Sequence, residues 1–279
     1  MRHLPIFTNT MQKLKTRFLW ETTSPELFCQ RMQFYTFISR AWKIRIEAQD
    51  GYLIATDTRS AKIHYAFPRR TPFYKSSISG RLKSLLKDYM LENMEIPPNA
   101  TIIDCGANIG EVGMGLRLKS KTLNYHAFEP SEPEHRLCQL NNPLGTCTKA
   151  ALWKKTEILT FYSKKKSADS SAIEMDGFDT IVTVDAITLD DYCRQKNIDD
   201  VFLLKLEAEG AEPEVLEGAK GILPKIHYIT ADCGFERGKE RASTAPDVVN
   251  LLLRNGFEMV GMRPERTTIL FRNVALTAN

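Results

Sequence analysis

No run of roughly 18 apolar residues occurs in this 279-residue chain, so no integral membrane helix is expected. The N-terminus mixes Arg2, Lys13, Lys15 and Arg17 with polar residues and offers no apolar signal-peptide core, which makes the cytoplasm the expected compartment. The six cysteines (Cys29, Cys105, Cys138, Cys147, Cys193 and Cys233) form no CxxC pair and no metal-like spacing, and they read as reduced thiols. Charge of one sign is also lacking. A net charge of +4, with basic residues spread among acids, does not call for nucleic acid as a partner. There is no internal repeat and no low-complexity tract.

What remains is an ordinary globular composition, long enough for one α/β domain of about 200 residues and an appendage. In the appendage, residues 1–75, Ser24-Pro25-Glu26 opens a helix through about Arg40. Trp42 to Ala48 and Tyr52 to Thr56 alternate around Gln49-Asp50-Gly51 as a hairpin. The larger domain, 76–279, starts with a helical period from Ser79 to Met90 and alternates strand and helix five times before a terminal hairpin around Arg263-Pro264. Within it, 147–152 reads as the third strand, 201–207 as a buried parallel strand, and 212–221 as a crossover helix.

The informative stretch is Thr101-Ile-Ile-Asp104-Cys-Gly106-Ala107-Asn108-Ile-Gly110, followed by Phe128-Glu129-Pro130 at the end of the next strand. An apolar run ending in an acid and a Gly-rich turn lets backbone N–H groups approach a nucleotide, and Glu129 offers two acceptor oxygens for ribose hydroxyls. Asn108 stands where a dinucleotide fold has its second glycine, which argues against a pyrophosphate and a nicotinamide oxidoreductase. A nucleoside without phosphate at that turn fits better, and S-adenosylmethionine is the favoured cofactor. Its candidate binding residues are Asp104, Gly106, Ala107, Asn108, Gly110, Glu129 and Pro130.

Ligands of open α/β sheets sit beyond the carboxyl ends of the strands. There, Lys205, Glu207 and Glu209 alternate along one strand, and Asp232, Glu236 and Arg237 follow the neighbouring one. Converging carboxylates cannot all stay ionised, so at least one is expected to hold its proton unusually tightly, with Lys205 offsetting part of the repulsion. Lys205, Glu207, Glu209 and Asp232 are the catalytic candidates. Glu207 or Glu209 would orient or deprotonate a methyl acceptor; alternatively the carboxylates hold a divalent metal such as Mg²⁺, and no ligand set is assigned. His126 and His227 read as core residues within strands. Lys164 to Lys166 reads as a solvated loop, and Arg237, Lys239 and Arg241 as candidates for acceptor binding.

Ile103-Asp104-Cys-Gly106-Ala-Asn108-Ile-Gly110, Ala127-Phe128-Glu129-Pro130, Thr188-Leu189-Asp190 and Leu204-Lys205-Leu-Glu207-Ala-Glu209-Gly210-Ala-Glu212, in that order, resemble the FkbM family of S-adenosylmethionine-dependent methyltransferases, over about residues 99–272. The resemblance implies a Rossmann-like class I methyltransferase fold, a mostly parallel doubly wound sheet with an antiparallel C-terminal strand. It also implies O-methylation, commonly of sugars in polysaccharides, glycolipids or glycosylated natural products. By the family's pattern Asp104, Gly106, Asn108 and Gly110 cradle the methionine portion and Glu129 takes the ribose. Residues 231–238 look like a version seen with surface-glycan genes, pointing to a glycan acceptor. One departure stands out: the family's Lys-Ile-Asp-Val-Glu-Gly is here Lys205-Leu-Glu207-Ala-Glu209-Gly210, keeping the charge but adding a methylene. Other readings are methylation of a small-molecule or lipid hydroxyl, and an inactive cofactor-binding scaffold. The appendage carries no interpretable motif, and pairing with a second copy of the chain is one use it would have.

Overall fold

The computed structural model describes residues 24–39, 43–163, 170–173, 178 and 180–276. The run Lys164 to Lys166 lies outside them. The chain divides into two compact units, Met1–Leu82 and Lys83–Asn279.

The first unit holds helix α1 (Pro25–Ser39) and an antiparallel sheet of β1 (Ile44–Gln49), β2 (Tyr52–Asp57) and β3 (Lys62–Tyr65), followed by the single turn α2 (Thr71–Tyr74). Asp50 and Gly51 join β1 to β2 with φ of 51° and 78°, the doubly positive two-residue turn that matches strand twist. Asp57 ties the unit together. Its Oδ1 accepts the N–H groups of Arg59 and Ala61 in the next turn, and its Oδ2 accepts that of Ile78, first residue of α3 (Ile78–Asp88).

The second unit is built on seven strands in the order β15-β16-β12-β11-β4-β5-β6: β4 (Thr101–Cys105), β5 (Asn124–Phe128), β6 (Thr146–Thr148), β11 (Val201–Leu206), β12 (Ile226–Asp232), β15 (Phe257–Arg263) and β16 (Thr268–Asn273). All but β16 run one way; β16 is antiparallel to both neighbours. This is the class I methyltransferase fold. The central strands are apolar on both faces because both faces are covered. In β4 and β11, Ile103 and Leu204 pack with helices α6 (Leu189–Lys196), α7 (Glu212–Glu217) and α8 (Ala245–Arg254). Their neighbours Ile102 and Leu203 pack on the other side with α4 (Glu111–Arg117) and Cys138 of α5 (Glu132–Asn141). Among the described residues no helix is long and apolar enough to cross a membrane.

Two expectations need correction. Residues 147–152 are not one strand. The ladder on β5 ends where Glu129 donates its N–H to the Thr148 carbonyl, so the chain finds no further partner and bends. Its next residues, β7 (Ala151–Leu152), join a separate sheet with β10 (Thr180–Ile187), β8 (Glu157–Ser163) and β9 (Ser170–Ser171). The crossover helix is also shorter than 212–221, stopping at Gly218, where a Cβ would lie 2.1 Å from the Trp153 carbonyl oxygen. The chain beyond Gly218 is held by the Thr188-Leu189-Asp190 motif. Thr188 caps α6 by accepting the Asp191 N–H, Leu189 is buried, and the Asp190 carboxylate accepts the Gly221 and Ile222 N–H groups.

Candidate active site

The Gly-rich turn follows β4 because three backbone conditions are met there. Gly106, at φ +70°, comes so near the β11 end that a Cβ would stand 2.0 Å from the Glu207 carbonyl oxygen. Asn108, at φ 50°, adopts a left-handed conformation that Asn tolerates well, and its Oδ1 accepts the Ile109 N–H. Gly110, at φ +80°, begins α4, and the Asn142 amide fills the space its side chain would occupy. Asn141 and Asn142 donate to the Ile109 and Gly110 carbonyls, so the end of α5 grips the turn from behind.

The left-handed Asn108 aims its N–H at Glu129 Oε2, 2.8 Å away, while Ser131 N–H reaches Oε1 at 2.9 Å. Each carboxylate oxygen keeps lone-pair capacity on the cleft side. Burial, with Glu134 adding repulsion, pushes the Glu129 carboxyl up to about 7 against those two N–H donors.

Below the turn, Lys205 is 1% exposed. Its Nζ donates to the carbonyls of Cys105 (3.0 Å) and Gly106 (2.7 Å), and it lies 3.1 Å from Asp104 Oδ1 and 3.0 Å from Glu207 Oε2. Burial would drive the ammonium down, but Asp104 and Glu207 hold it well above its ordinary value. Asp104 is fully buried and accepts the Tyr125 hydroxyl at 2.5 Å. Asp104 and Lys205 thus form a charged strut under the turn.

The cleft beyond these strand ends is lined by Gly106, Asn108, Glu129 and Pro130 on one side and by Glu207, Ala208 and Glu209 on another. Leu152, Trp153, Phe161 and Ala172, from the separate sheet, supply an apolar wall. Ser171 Oγ donates to the Glu209 carbonyl, which fastens that wall to the loop after β11. Of the residues singled out in the sequence, Gly106, Asn108, Glu129, Pro130, Glu207 and Glu209 line this cleft. Asp104, Ala107, Gly110, Lys205 and Asp232 do not; they shape or support its edge.

Glu207 is held from three directions. The Tyr89 hydroxyl donates to Oε2 at 2.5 Å, Lys205 Nζ stands beside the same oxygen, and Arg266 Nη2 lies 3.4 Å from Oε1. Burial alone would raise its pKa, yet Lys205, Tyr89 and Arg266 together bring it below the ordinary carboxylate range. Arg266 Nη2 also donates to Asp232 Oδ2 at 2.7 Å. Burial followed by repulsion from Glu207 raises Asp232 nonetheless, and burial with the same kind of repulsion pushes Glu236 up to about 7. The expected crowding of carboxylates is present, and it falls on Asp232 and Glu236 rather than on Glu207.

Several acids and bases here are structural. Glu212 accepts the Ala208 and Gly210 N–H groups and the Thr244 hydroxyl, which clamps the loop after β11. Arg237, a candidate for acceptor binding, is engaged internally by both Glu214 oxygens and by the Gly210 carbonyl. His126 meets the Tyr192 hydroxyl within the fold. Among the described residues no three His, Cys, Asp or Glu side chains stand where they could hold one metal ion. Two partners escaped the sequence reading. Tyr89 gives no local signal. Arg266 had one, since the turn between β15 and the antiparallel β16 lies at the same sheet edge as the carboxyl ends of β11 and β12.

Comparison with known proteins gives the family. Residues 104–259, more than half of the chain, match the Methyltransferase FkbM domain. A 2-O-methyltransferase, NoeI of Sinorhizobium fredii, is 23% identical over 82% of this chain and 97% of its own length. Methyltransferase sdnD of Sordaria araneosa is 24% identical over 61% of this chain and 86% of its own. Among solved structures, the N-terminal domain of human METTL16 in complex with S-adenosylhomocysteine aligns over 88% of this chain and 80% of that one, at 11% identity and a TM-score of 0.40. The chain belongs to the FkbM methyltransferase family and is an S-adenosylmethionine-dependent methyltransferase.

Proposed function

We propose that the chain is an O-methyltransferase acting on a sugar hydroxyl of a surface glycan or glycoconjugate. The observation that carries this reading is the acidic edge of the cleft. Glu207 lines it as a firmly ionised carboxylate, with Asp232 and Glu236 beside it. Such an edge suits a polyol, whose several O–H donors each find an oxygen acceptor. The name of NoeI, a 2-O-methyltransferase, supports a hydroxyl acceptor.

The residues divide the work. S-adenosylmethionine supplies an electrophilic methyl carbon on a sulfonium centre. Gly106 and Asn108 bring backbone close to the ligand, Glu129 accepts from ribose hydroxyls, and Trp153, Phe161 and Leu152 give the base an apolar wall. Glu207 aligns the acceptor as a hydrogen-bond acceptor. Its lowered pKa makes it a weak base, so orientation is its contribution.

The test incubates the full chain with methyl-labelled S-adenosylmethionine and methyl glucoside, methyl mannoside, methyl N-acetylglucosaminide, a phenol or a long-chain alcohol. Transfer to a glycoside supports the sugar assignment. Transfer only to the phenol or alcohol overturns it in favour of a small-molecule or lipid hydroxyl. Cofactor binding without transfer to any hydroxyl, repeated with fractionated cell extract, points instead to a scaffold.

A further inference from the structure

Glu236 differs from every other carboxylate at this edge. It lies in β13 (Phe235–Arg237), paired with β14 (Ala242–Ser243), immediately beyond the end of β12. Arg237 anchors that ribbon through Glu214 and the Gly210 carbonyl, and a bulge between Phe235 and Arg237 leaves Glu236 opposite no residue of β14. A Cβ at Gly234 would stand 3.4 Å from Asp232 Oδ1 and 3.7 Å from Glu236 Oε1, so the missing side chain opens both carboxylates to one space.

The neighbouring acids are all engaged. Glu207 is held by Tyr89, Lys205 and Arg266, Asp232 by Arg266, and Glu212 by two N–H groups and Thr244. Among the described residues no hydrogen bond or ion pair engages the Glu236 carboxylate. The charges facing it are Asp232 from β12, Glu207 from the loop after β11 and Glu212 from α7, with Arg266 from the β15–β16 turn pulling the other way. Its pKa of about 7 leaves it half ionised at neutral pH, where a proton acceptor works best.

Resting on the reading that the acceptor is a hydroxyl, we propose that Glu236 takes the proton from the attacking hydroxyl, with Asp232 and Arg266 as positioning residues. As the O–H bond breaks, its proton passes to a Glu236 oxygen and its electron pair stays on the acceptor oxygen. An oxygen pair forms the new O–CH₃ bond, the methyl–sulfur pair returns to sulfur as S-adenosylhomocysteine, and Glu236 later releases the proton to water.

The experiment compares the full-length wild type with Glu236→Gln and Glu236→Asp. Carboxyl ¹³C NMR with S-adenosylhomocysteine bound should show a resonance titrating near pH 7 that disappears in Glu236→Gln. S-adenosylhomocysteine affinity should change less than about twofold. With whichever glycoside the wild type methylates, kcat should fall about 100-fold or more and KM by less than about threefold. The rise of kcat through pH 7 should vanish in Glu236→Gln and return in part in Glu236→Asp. Titration of Glu236 in the ordinary carboxylate range, or a glutamine variant that keeps the pH 7 rise, overturns the proposal. A wild type that methylates only nitrogen or carbon defeats the hydroxyl reading by itself, and the NMR titration then judges Glu236 separately.

Discussion

Tyr89 and Glu207, 118 residues apart in the chain, meet in a 2.5 Å hydrogen bond. The tyrosine ring also receives two cations, Lys205 Nζ at 5.3 Å and the Arg266 guanidinium at 5.4 Å from its centroid. One aromatic residue thus organises the charges around the Glu207 carboxylate. Tyr89→Phe keeps the ring and deletes the donor, so Glu207 should move up towards the ordinary carboxylate value. Stability should fall by about 1–3 kcal/mol, as for a hydrogen bond to a charged group, and kcat/KM by about tenfold. Denaturant midpoints and steady-state kinetics check both; a variant with unchanged kcat/KM would remove Glu207 from acceptor alignment.

Lys205→Met should be far more damaging than its distance from the cleft suggests. It leaves Asp104 and Glu207 without their buried counter-charge and two carbonyls without their donor, a loss of about 3–5 kcal/mol. Lys205→Arg should not rescue it, because a planar fork does not replace a compact ammonium in a site 1% exposed. Thermal unfolding with and without S-adenosylhomocysteine measures the loss. A methionine variant as stable as wild type would deny Lys205 its role as a strut.

Glu129 predicts a pH dependence with a definite sign. Its folded value of about 7 lies above the ordinary 4.5, so the folded chain binds this proton more tightly than the unfolded one. The contribution is full below about pH 4.5 and lost as pH rises through 7, amounting to roughly 3 kcal/mol at most. Glu236 titrates in the same window, so the check is the difference between wild type and Glu129→Gln, whose stability should decline less over that range. Ribose hydroxyls favour the ionised carboxylate. S-adenosylhomocysteine binding at pH 7 should therefore release protons, seen as a dependence of calorimetric heat on buffer ionisation enthalpy and absent from Glu129→Gln.

Two glycines with similar φ should respond very differently to alanine. At Gly51, φ +78° with nothing within 4 Å, alanine meets only backbone strain of about 1–2 kcal/mol. At Gly106 the new Cβ meets the Glu207 carbonyl oxygen at 2.0 Å, and either β4 or β11 must shift. Gly106→Ala should abolish cofactor binding or folding, whereas Gly51→Ala should bind normally. Differential scanning fluorimetry with S-adenosylhomocysteine separates the two outcomes.

The sequence disclosed those parts of the site whose logic is local. The Gly-rich turn needs particular residues at particular φ, and Glu129 closes the next strand; the alternation expected along Lys205, Glu207 and Glu209 fails, because β11 ends at Leu206 and Glu209 lies in the turn after it at φ 50°. Partners supplied by distant chain were silent. Nothing near Tyr89 announces its carboxylate, and the Thr188-Leu189-Asp190 motif does not disclose that Asp190 holds the loop at Gly221 and Ile222. Lys205 was visible as a charge but not as a support, since its role depends on two carbonyls one hundred residues upstream. The break after β6 was hidden because it depends on where the β5 ladder runs out, not on any residue that breaks strands.

Trp153 carries a practical consequence. It is 9% exposed, lies in the cleft wall and is fixed by its indole N–H on Glu157 Oε1 at 3.1 Å. The sequence has three tryptophans, and the other two are Trp20 and Trp42. Replacing those two with phenylalanine leaves one fluorophore in the cleft wall, so a ligand entering that cleft should be followed by emission alone, in real time and without a label.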